Sequence, residues 1–177
     1  VGWAGTGSTV AELPLAARAL SRISEYKGGS APVHSLLVGI DGVQARAAGV
    51  VGDRVGSVGF VSKFSDYLKV VARFDVWVAP YRDTPFNQAK YATKFLEAGM
   101  LGIPLVASAI EPYAAAIRHG ETGFLVPPGQ EHLFGKYIKQ LVDDPGLRQR
   151  IGLAARAEAS ASILQNRNQE WEKVLFP

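Results

Sequence analysis

The stretch DVWVAPYRDTPFNQAKYATKFLEAGMLGIPLVAS, residues 75–108, decides the fold of this chain. It opens with an apolar run at 75–80 and closes with another at 103–108, and short runs of this kind are typical of strands buried on both faces of a sheet. Residues 89–101 between them have helical spacing and are followed by Gly102, a residue type common just beyond a helix end. The stretch therefore predicts one strand–helix–strand unit.

The predicted helix has an apolar side and a polar side. The apolar positions, spaced so that they face a sheet, are Ala92, Phe95, Leu96 and Gly99. The polar side carries Lys90, Lys94 and Glu97, with Asn87 one turn earlier. Lysines near the first turn of a helix, where free N–H groups already favour negative charge, predict a seat for a phosphate or diphosphate. A carboxylate one turn further on is placed to hold a hydroxyl pair, such as that of a ribose.

An ordinary solvated helix face is the alternative interpretation of the polar side. Pairs of charged residues on one helix face stabilise a helix by only about 0.2–0.5 kcal/mol, so stability gives a weak reason to keep these residues together. The choice between the two interpretations therefore depends on the rest of the chain.

Composition limits the classes of protein to which the chain belongs. It has 177 residues, 47% of them hydrophobic, and a net charge of +3, which predicts one domain, 1–177, and no nucleic-acid surface. There is no cysteine, hence no disulfide framework or thiolate metal site, and no apolar run of about 18 residues to span a membrane. Because the chain starts at Val1 and its one methionine is Met100, we expect an excised half of a longer protein.

Apolar and helical segments alternate along the chain. The predicted strands are residues 1–5, 33–40, 55–60, 75–80, 103–108 and 124–126. The predicted helices are residues 10–26, 43–48, 63–74, 89–101, 112–119 and 131–142, one that restarts at 144–145, and 168–175. This order predicts an α/β fold with a Rossmann-like, doubly wound, parallel six-stranded sheet.

Ligands of such sheets bind at the carboxyl ends of the strands. The candidate binding loops therefore follow Gly5, Phe60, Pro80 and Ser108. Two other features have structural interpretations. Thr9 with Glu12 has the spacing of a helix capping box, and the pair His119–Gly120 is typical of a turn.

The order of several motifs resembles the C-terminal domain of family-4-type (group 1) glycosyltransferases of the two-domain GT-B fold. The motifs are FNQAKYATKFLEAGMLGIPLVAS at 86–108, EPY at 111–113, IRHGETGFLV at 117–126 and DPGLR at 144–148. The opening VGWAG resembles a subgroup that acts in bacterial surface-polysaccharide synthesis. The resemblance implies the Rossmann-like half that binds a sugar nucleotide, with an N-terminal acceptor domain that is absent from this chain.

The resemblance also implies roles for individual residues. Glu97 matches the second glutamate of the family's E-x7-E motif, which typically holds the donor ribose, whereas Ala89 stands where the first glutamate is expected. Residues 3–13 lack the basic pair that many members use for the diphosphate. Asn87, Lys90 and Lys94 match an N-x-x-K-x-x-x-K-x-x-E pattern of the subgroup, which implies that the two lysines replace that pair and offset the charge on the departing diphosphate.

Two further loops complete the expected site. Gly5 and Thr6 begin a turn whose backbone N–H groups could approach the phosphates, because glycine permits a close approach. Val61 and Lys63 lie where related domains hold the nucleobase, although Lys63 is equally well explained as a solvated residue of a first helical turn. No Asp-x-Asp or histidine cluster is present, so no metal and no cofactor besides the substrate is expected.

By this resemblance the longer protein is an enzyme that moves a hexose from a nucleotide-diphosphate sugar to a glycan or lipid-linked acceptor with retention of configuration. The isolated domain is expected to be inactive. The expected location is cytoplasmic, with room for peripheral association at the inner face of the membrane.

Three alternatives remain. Gly5-Thr6-Gly7 after a strand suggests an NAD-dependent oxidoreductase, but Val10 replaces the third glycine and Asp41 comes later than such enzymes require. Ala89 suggests a non-catalytic nucleotide-binding or assembly module. A sugar-nucleotide epimerase shares the two-domain architecture but is not expected to have this C-terminal sequence.

Overall fold

A computed structural model describes residues 1–28 and 31–162, and the predicted helix at 168–175 lies outside these residues. The strands are β1 (Gly2–Ala4), β2 (Ser35–Val38), β3 (Val55–Val58), β4 (Trp77–Ala79), β5 (Leu105–Ser108) and β6 (Phe124–Val126). The helices are α1 (Pro14–Ser24), α2 (Gly42–Ala47), α3 (Phe64–Val71), α4 (Pro85–Gln88), α5 (Thr93–Met100), α6 (Tyr113–Ala116), α7 (His132–Asp143) and α8 (Pro145–Ser162). A 3₁₀ turn, Val10–Glu12, precedes α1.

The six strands form one sheet in the order β3-β2-β1-β4-β5-β6, and every neighbouring pair is parallel. This confirms the predicted doubly wound α/β fold. The order reverses between β1 and β4, so the chain leaves these adjacent strands in opposite directions. The loops after β1 and β4 therefore border the crevice in which open sheets of this type bind ligands.

Two apolar clusters cover the two faces of the sheet. One contains Trp3 with Leu20 of α1 and Ile138 of α7, and the other contains Trp77 with Phe95 of α5. All five of these side chains are fully buried. Helix layers on both faces explain why the central strands are apolar on both sides instead of alternating.

Helix α5 packs closely on α8 as well as on the sheet. A Cβ placed on Gly99 would lie 2.7 Å from the Cβ of Ala159 and 2.8 Å from the carbonyl oxygen of Ala155. Atoms that close would overlap, so only glycine fits at this position. The helix with the predicted site residues is therefore anchored by a contact between small residues on its opposite side.

The single helix predicted at 89–101 is wrong. Thr84 caps α4 by accepting the N–H of Asn87, α4 ends at Gln88, and α5 begins only at Thr93. Lys90 therefore lies in the bend between two helices and does not share a helical face with Lys94. The apolar part of the prediction is confirmed, because Ala92, Phe95 and Gly99 are buried.

Two further helix starts were predicted from capping residues, and the structure agrees with one of them. Thr9 makes no capping bond to a helix, because its hydroxyl bonds Thr6, and α1 begins at Pro14 after the 3₁₀ turn. The prediction that Thr9 and Glu12 form a capping box is therefore wrong, since Glu12 contacts a different loop. At the later restart the prediction is confirmed, because Asp144 accepts the N–H of Leu147 at 2.8 Å.

Candidate functional site

Lys90, at the bend after α4, is held by three neighbouring side chains. Its ammonium Nζ donates to Asn87 Oδ1 at 2.6 Å and lies 4.7 Å from the ring centres of both Tyr81 and Phe86. A cation over aromatic faces is stabilised by the negative face of each ring without loss of its charge. Lys90 is thus a fixed and half-buried cation at the carboxyl end of β4.

Glu97 and Lys94 lie on the first two turns of α5. Glu97 Oε2 accepts the hydroxyl of Tyr67 at 2.9 Å, which connects α3 to α5. Burial raises the pKa of the Tyr67 phenol, and the neighbouring Glu97 carboxylate raises it further, so the phenol remains a donor to Glu97. Among the described residues, no carboxylate lies within ion-pair distance of Lys90 or Lys94 Nζ.

A pair of stacked tyrosines joins the two lysines and the glutamate. The rings of Tyr81 and Tyr113 are parallel with centres 5.3 Å apart, and both are buried. Burial raises the pKa of Tyr113, which is also affected by the Tyr81 hydroxyl, the backbone of Lys94 and the charge of Glu97. The structure therefore brings the Lys90 ammonium, the backbone of Lys94 and the charge of Glu97 to one pair of stacked tyrosines beyond the ends of β4 and β5.

Asn87 is placed differently from a ligand-binding residue. It is 2% exposed, and its amide nitrogen donates to Glu12 Oε1 at 3.2 Å and to the carbonyl oxygen of Arg82 at 2.9 Å. Its amide oxygen accepts from Lys90. With all parts of the amide engaged by protein groups, Asn87 supports Lys90 instead of pointing toward a substrate.

Glu12 is the residue of this region whose contacts the sequence did not indicate. It is 8% exposed and accepts the backbone N–H of Arg82 at 2.7 Å, the Arg82 Nε at 3.2 Å and the Asn87 amide. Burial raises its pKa, but these hydrogen bonds outweigh burial and hold the pKa of Glu12 below its ordinary value. A buried carboxylate therefore ties the loop after β1 to the loop after β4.

In the loop after β1, the N–H groups of Gly5 and Thr6 already have protein partners. The N–H of Gly5 bonds Val38 in the sheet, and the N–H of Thr6 bonds the hydroxyl of Thr9. In the part of the chain that the structure describes, no protein acceptor meets the N–H of Gly7 or Ser8. If this loop contacts a phosphate through its backbone, Gly7 and Ser8 supply the donors, whereas Gly5 is needed because a Cβ there would lie 2.3 Å from Thr9 Oγ1.

The loop after β3 carries exposed aromatic residues. Val61 is half-buried and Lys63 is exposed, and on either side of them Phe60 and Phe64 are 72% and 61% exposed. Phe64 also stacks on Tyr67, with ring centres 5.9 Å apart. The expected nucleobase region is therefore continuous with the residue that holds Glu97.

His119 has a structural place. Its Nδ1 accepts the N–H of Leu125 at 3.1 Å, and its ring meets Phe124 edge to face. This agrees with the turn role predicted from the sequence. The two larger cavities described, of about 580 and 830 Å³, lie at the opposite end of the strands and between α1 and α7, and neither is lined by Lys90, Lys94 or Glu97. Tyr81 of the stacked tyrosine pair lines a smaller cavity of about 90 Å³, together with Arg82 and Ser108.

Comparison with known proteins gives the context of this site. The family model described as "Glycosyl transferases group 1" matches residues 1–144. A D-inositol 3-phosphate glycosyltransferase of Streptomyces griseus is 35% identical over 77 residues, which cover 44% of this chain and 16% of that protein.

Solved structures share the fold at lower identity. HepE of Anabaena, crystallised with UDP-glucose, has a TM-score of 0.72 and 21% identity, and the match covers 98% of this chain and 48% of HepE. The C-terminal domain of LpcC, a group 1 family protein of Francisella tularensis, has a TM-score of 0.66 and 15% identity, and the match covers 91% of this chain and 84% of that domain. The chain thus spans about half the length of HepE, and it belongs to the group 1 glycosyltransferases, with the fold of their GT-B C-terminal domain.

Proposed function

We propose that this chain is the donor-binding domain of a glycosyltransferase that moves a hexose from a nucleotide-diphosphate sugar to a glycan or lipid-linked acceptor. The observation that carries the proposal is the cluster of Lys90, Lys94 and Glu97 around the stacked tyrosines at the carboxyl ends of β4 and β5. Family membership supports the reaction class.

The two lysines have the chemistry that the departing diphosphate requires. When the bond from the sugar C1 to the diphosphate oxygen breaks and the acceptor hydroxyl takes its place, negative charge builds on the leaving group. Preorganised cations that face such charge usually supply the largest part of the rate enhancement. Lys90 and Lys94 have no carboxylate partner among the described residues, so their charge is available to a ligand.

Glu97 is assigned to the ribose of the donor. Tyr67 binds its Oε2, and no described residue binds Oε1, which leaves this oxygen free to accept hydroxyl groups. A carboxylate can accept from two neighbouring hydroxyls at once, as a ribose presents them. Val61 and Lys63 stay predicted as neighbours of the nucleobase, beside the exposed Phe60 and Phe64.

The wider assignments follow from the resemblance. They are retention of configuration, action in bacterial surface-polysaccharide synthesis, an N-terminal GT-B domain that supplies the acceptor site, and a cytoplasmic location with peripheral membrane contact. The UDP-glucose bound by HepE makes UDP the first nucleotide to test. No helix within 1–28 and 31–162 combines the length and the apolar character needed to cross a bilayer.

A non-catalytic nucleotide-binding module is the second candidate, and one observation favours it. Ala89, at the end of α4, replaces the motif glutamate that typically contacts the donor sugar. Such a module would keep diphosphate binding and lose transfer. The full-length protein separates the two candidates, because only the enzyme releases nucleoside diphosphate from a sugar nucleotide.

The binding site is tested on this chain by calorimetry with UDP, GDP and NADH. We expect binding of a nucleoside diphosphate and no binding of NADH. Lys94→Ala and Glu97→Ala should each lower the affinity about tenfold, because hydrogen bonds to charged groups are worth roughly 1.5–3 kcal/mol. Lys139→Ala, on the distant helix α7, is the control. Unchanged nucleotide affinity in both site variants would refute the site. Binding of NADH, with no binding of UDP or GDP, would refute the proposed reaction class.

A further inference from the structure

The loops after β1 and β4 are joined across the crevice where the strand order reverses. Glu12, at the end of the β1 loop, accepts three hydrogen bonds, and all three come from the β4 loop and α4. Sequence spacing gives no hint of this contact, because Glu12 and Arg82 are 70 positions apart. Since open sheets bind their ligands at this crevice, the joint lies beside the proposed donor site.

The joint fixes the direction in which Asn87 faces. Its amide nitrogen donates both to Glu12 Oε1 and to the Arg82 carbonyl oxygen, so its amide oxygen must face the other way. That oxygen is the acceptor for Lys90 Nζ at 2.6 Å. The negative charge of Glu12 therefore sets the position of the Lys90 ammonium through an intervening neutral amide. The charge of Lys90 is not cancelled, because the group that touches it is not a carboxylate.

The same carboxylate holds the side chain of Arg82. The guanidinium donates through Nε to Glu12 at 3.2 Å and through Nη2 to the carbonyl oxygen of Ala11 at 3.0 Å. Its remaining nitrogen, Nη1, has no partner among the described residues, and the side chain is 53% exposed. A guanidinium fixed along one edge presents its other edge in the planar fork that matches phosphate oxygens.

We propose that Arg82 is a diphosphate-binding residue and that Glu12 is the positioning residue that holds both Arg82 and, through Asn87, Lys90. The inference rests on the proposed function and adds to it a third cation. This cation is Arg82, which belongs to the β4 loop but binds the β1 loop. It also accounts for the absence of lysine and arginine from residues 3–13. The Nη2 bond to Ala11 places the guanidinium beside a loop that has no positive charge of its own.

The competing explanation is that the hydrogen bonds of Glu12 only stabilise the two loops. The affinities for UDP and UMP distinguish this explanation from the proposal. If these bonds only stabilise the loops, their loss lowers the melting temperature but leaves the ratio of the UDP and UMP affinities unchanged. A carboxylate that positions diphosphate-binding cations changes that ratio, because UMP lacks the second phosphate. GDP and GMP replace this pair if the wild-type chain binds GDP more tightly.

The variants are Glu12→Gln, Arg82→Met and Lys94→Ala. Glu12→Gln keeps the size of the side chain but puts an NH₂ group where an acceptor oxygen stood, so it faces the donors of Arg82 or Asn87. Arg82→Met keeps the backbone bond to Glu12 and removes the guanidinium with its bonds to Glu12 and Ala11, so it remains informative if Glu12→Gln fails to fold. Matched controls are Glu158→Gln, which removes a surface partner of Arg118, and Arg54→Gln, at the opposite end of the strands.

We expect Glu12→Gln and Arg82→Met each to lower the UDP affinity about tenfold and the UMP affinity much less, as expected for the loss of bonds to charged groups. The controls should change neither. If Lys94→Ala weakens UDP binding while Glu12→Gln and Arg82→Met leave the UDP-to-UMP ratio unchanged, this inference is overturned and the proposed function stands. If the wild-type chain binds no nucleoside diphosphate, both are overturned.

Discussion

The phenol of Tyr67 on α3 donates a 2.9 Å hydrogen bond to the carboxylate of Glu97 on α5. One carboxylate oxygen is thereby fixed, and the other has no partner among residues 1–28 and 31–162. The bond also joins two helices that flank β4, so the orientation of Glu97 depends on α3 as much as on its own helix. The proposed ribose contact is therefore controlled by a residue that need not touch the ribose.

Tyr67→Phe should weaken nucleotide binding without removing the carboxylate. We expect roughly a threefold to tenfold loss in UDP affinity, the worth of one ordinary hydrogen bond, and a smaller preference for UDP over 2′-deoxy-UDP. Calorimetry with both nucleotides measures the two effects. Tyr91→Phe is the control, because Tyr91 is 65% exposed. Equal discrimination against 2′-deoxy-UDP in wild type and Tyr67→Phe would contradict the role given to this bond.

Acid should remove the stabilisation that Glu12 provides. Because its folded-state pKa lies below the ordinary value of 4.5, its contribution is fully present above that pH and is lost as the pH falls through the folded-state pKa. Urea unfolding should therefore find Glu12→Gln less stable than wild type by about 1–3 kcal/mol at neutral pH. The difference should shrink as the pH falls below 4.5. A difference independent of pH would show that the charge of Glu12 is not what matters.

Gly99→Ala should destabilise the chain by overlap between α5 and α8. The added Cβ would lie 2.7 Å from the Cβ of Ala159, and such overpacking typically costs about 1–3 kcal/mol. Gly135→Ala on α7 is a matched control, because its Cβ would have an ordinary 3.9 Å contact with Ala19. Alanine is the better helix former, so that control should be neutral or stabilising by up to about 1 kcal/mol. Equal unfolding free energies for the two variants would contradict the packing described.

Much of the fold follows from local pattern. The apolar runs predicted all six strands in order, and the bounds of β6 agree with the prediction. Parallel pairing followed because helical segments separate the runs, and such connections leave adjacent strands parallel. Strand ends were predicted one or two residues too long where flanking residues such as Val33 and Phe60 are apolar or aromatic but lie beyond the ladder.

The break between α4 and α5 was missed although the sequence contains a signal for it. Thr84 followed by Pro85 is a favoured start for a helix, and the structure uses it as one. The prediction that Lys90 and Lys94 share one helix did not take the helix start at Thr84 into account. The Lys90 ammonium and the backbone of Lys94 still meet the same pair of tyrosines, because Lys90 contacts Tyr81 and the Lys94 backbone contacts Tyr113.

The contacts of Glu12 could not be predicted from local sequence spacing. Its partners Arg82 and Asn87 are distant in sequence, and only the adjacency of β1 and β4 makes them neighbours. The capping pattern with Thr9 was a plausible local alternative that the tertiary hydrogen bonds displaced. In physical terms, a buried carboxylate takes the partners that satisfy it most completely, wherever they lie in the chain.

The bend at Lys90 has a consequence for how such a domain diversifies. Lys90 is fixed from the side of β1 and α4, whereas Glu97 is fixed from α3. Substitutions on one side can therefore alter the proposed phosphate contact while the proposed ribose contact is retained, and the reverse holds as well. An engineer who wishes to change the base preference of this scaffold would work on α3 and the loop before it, and leave the neighbourhood of Glu12 intact.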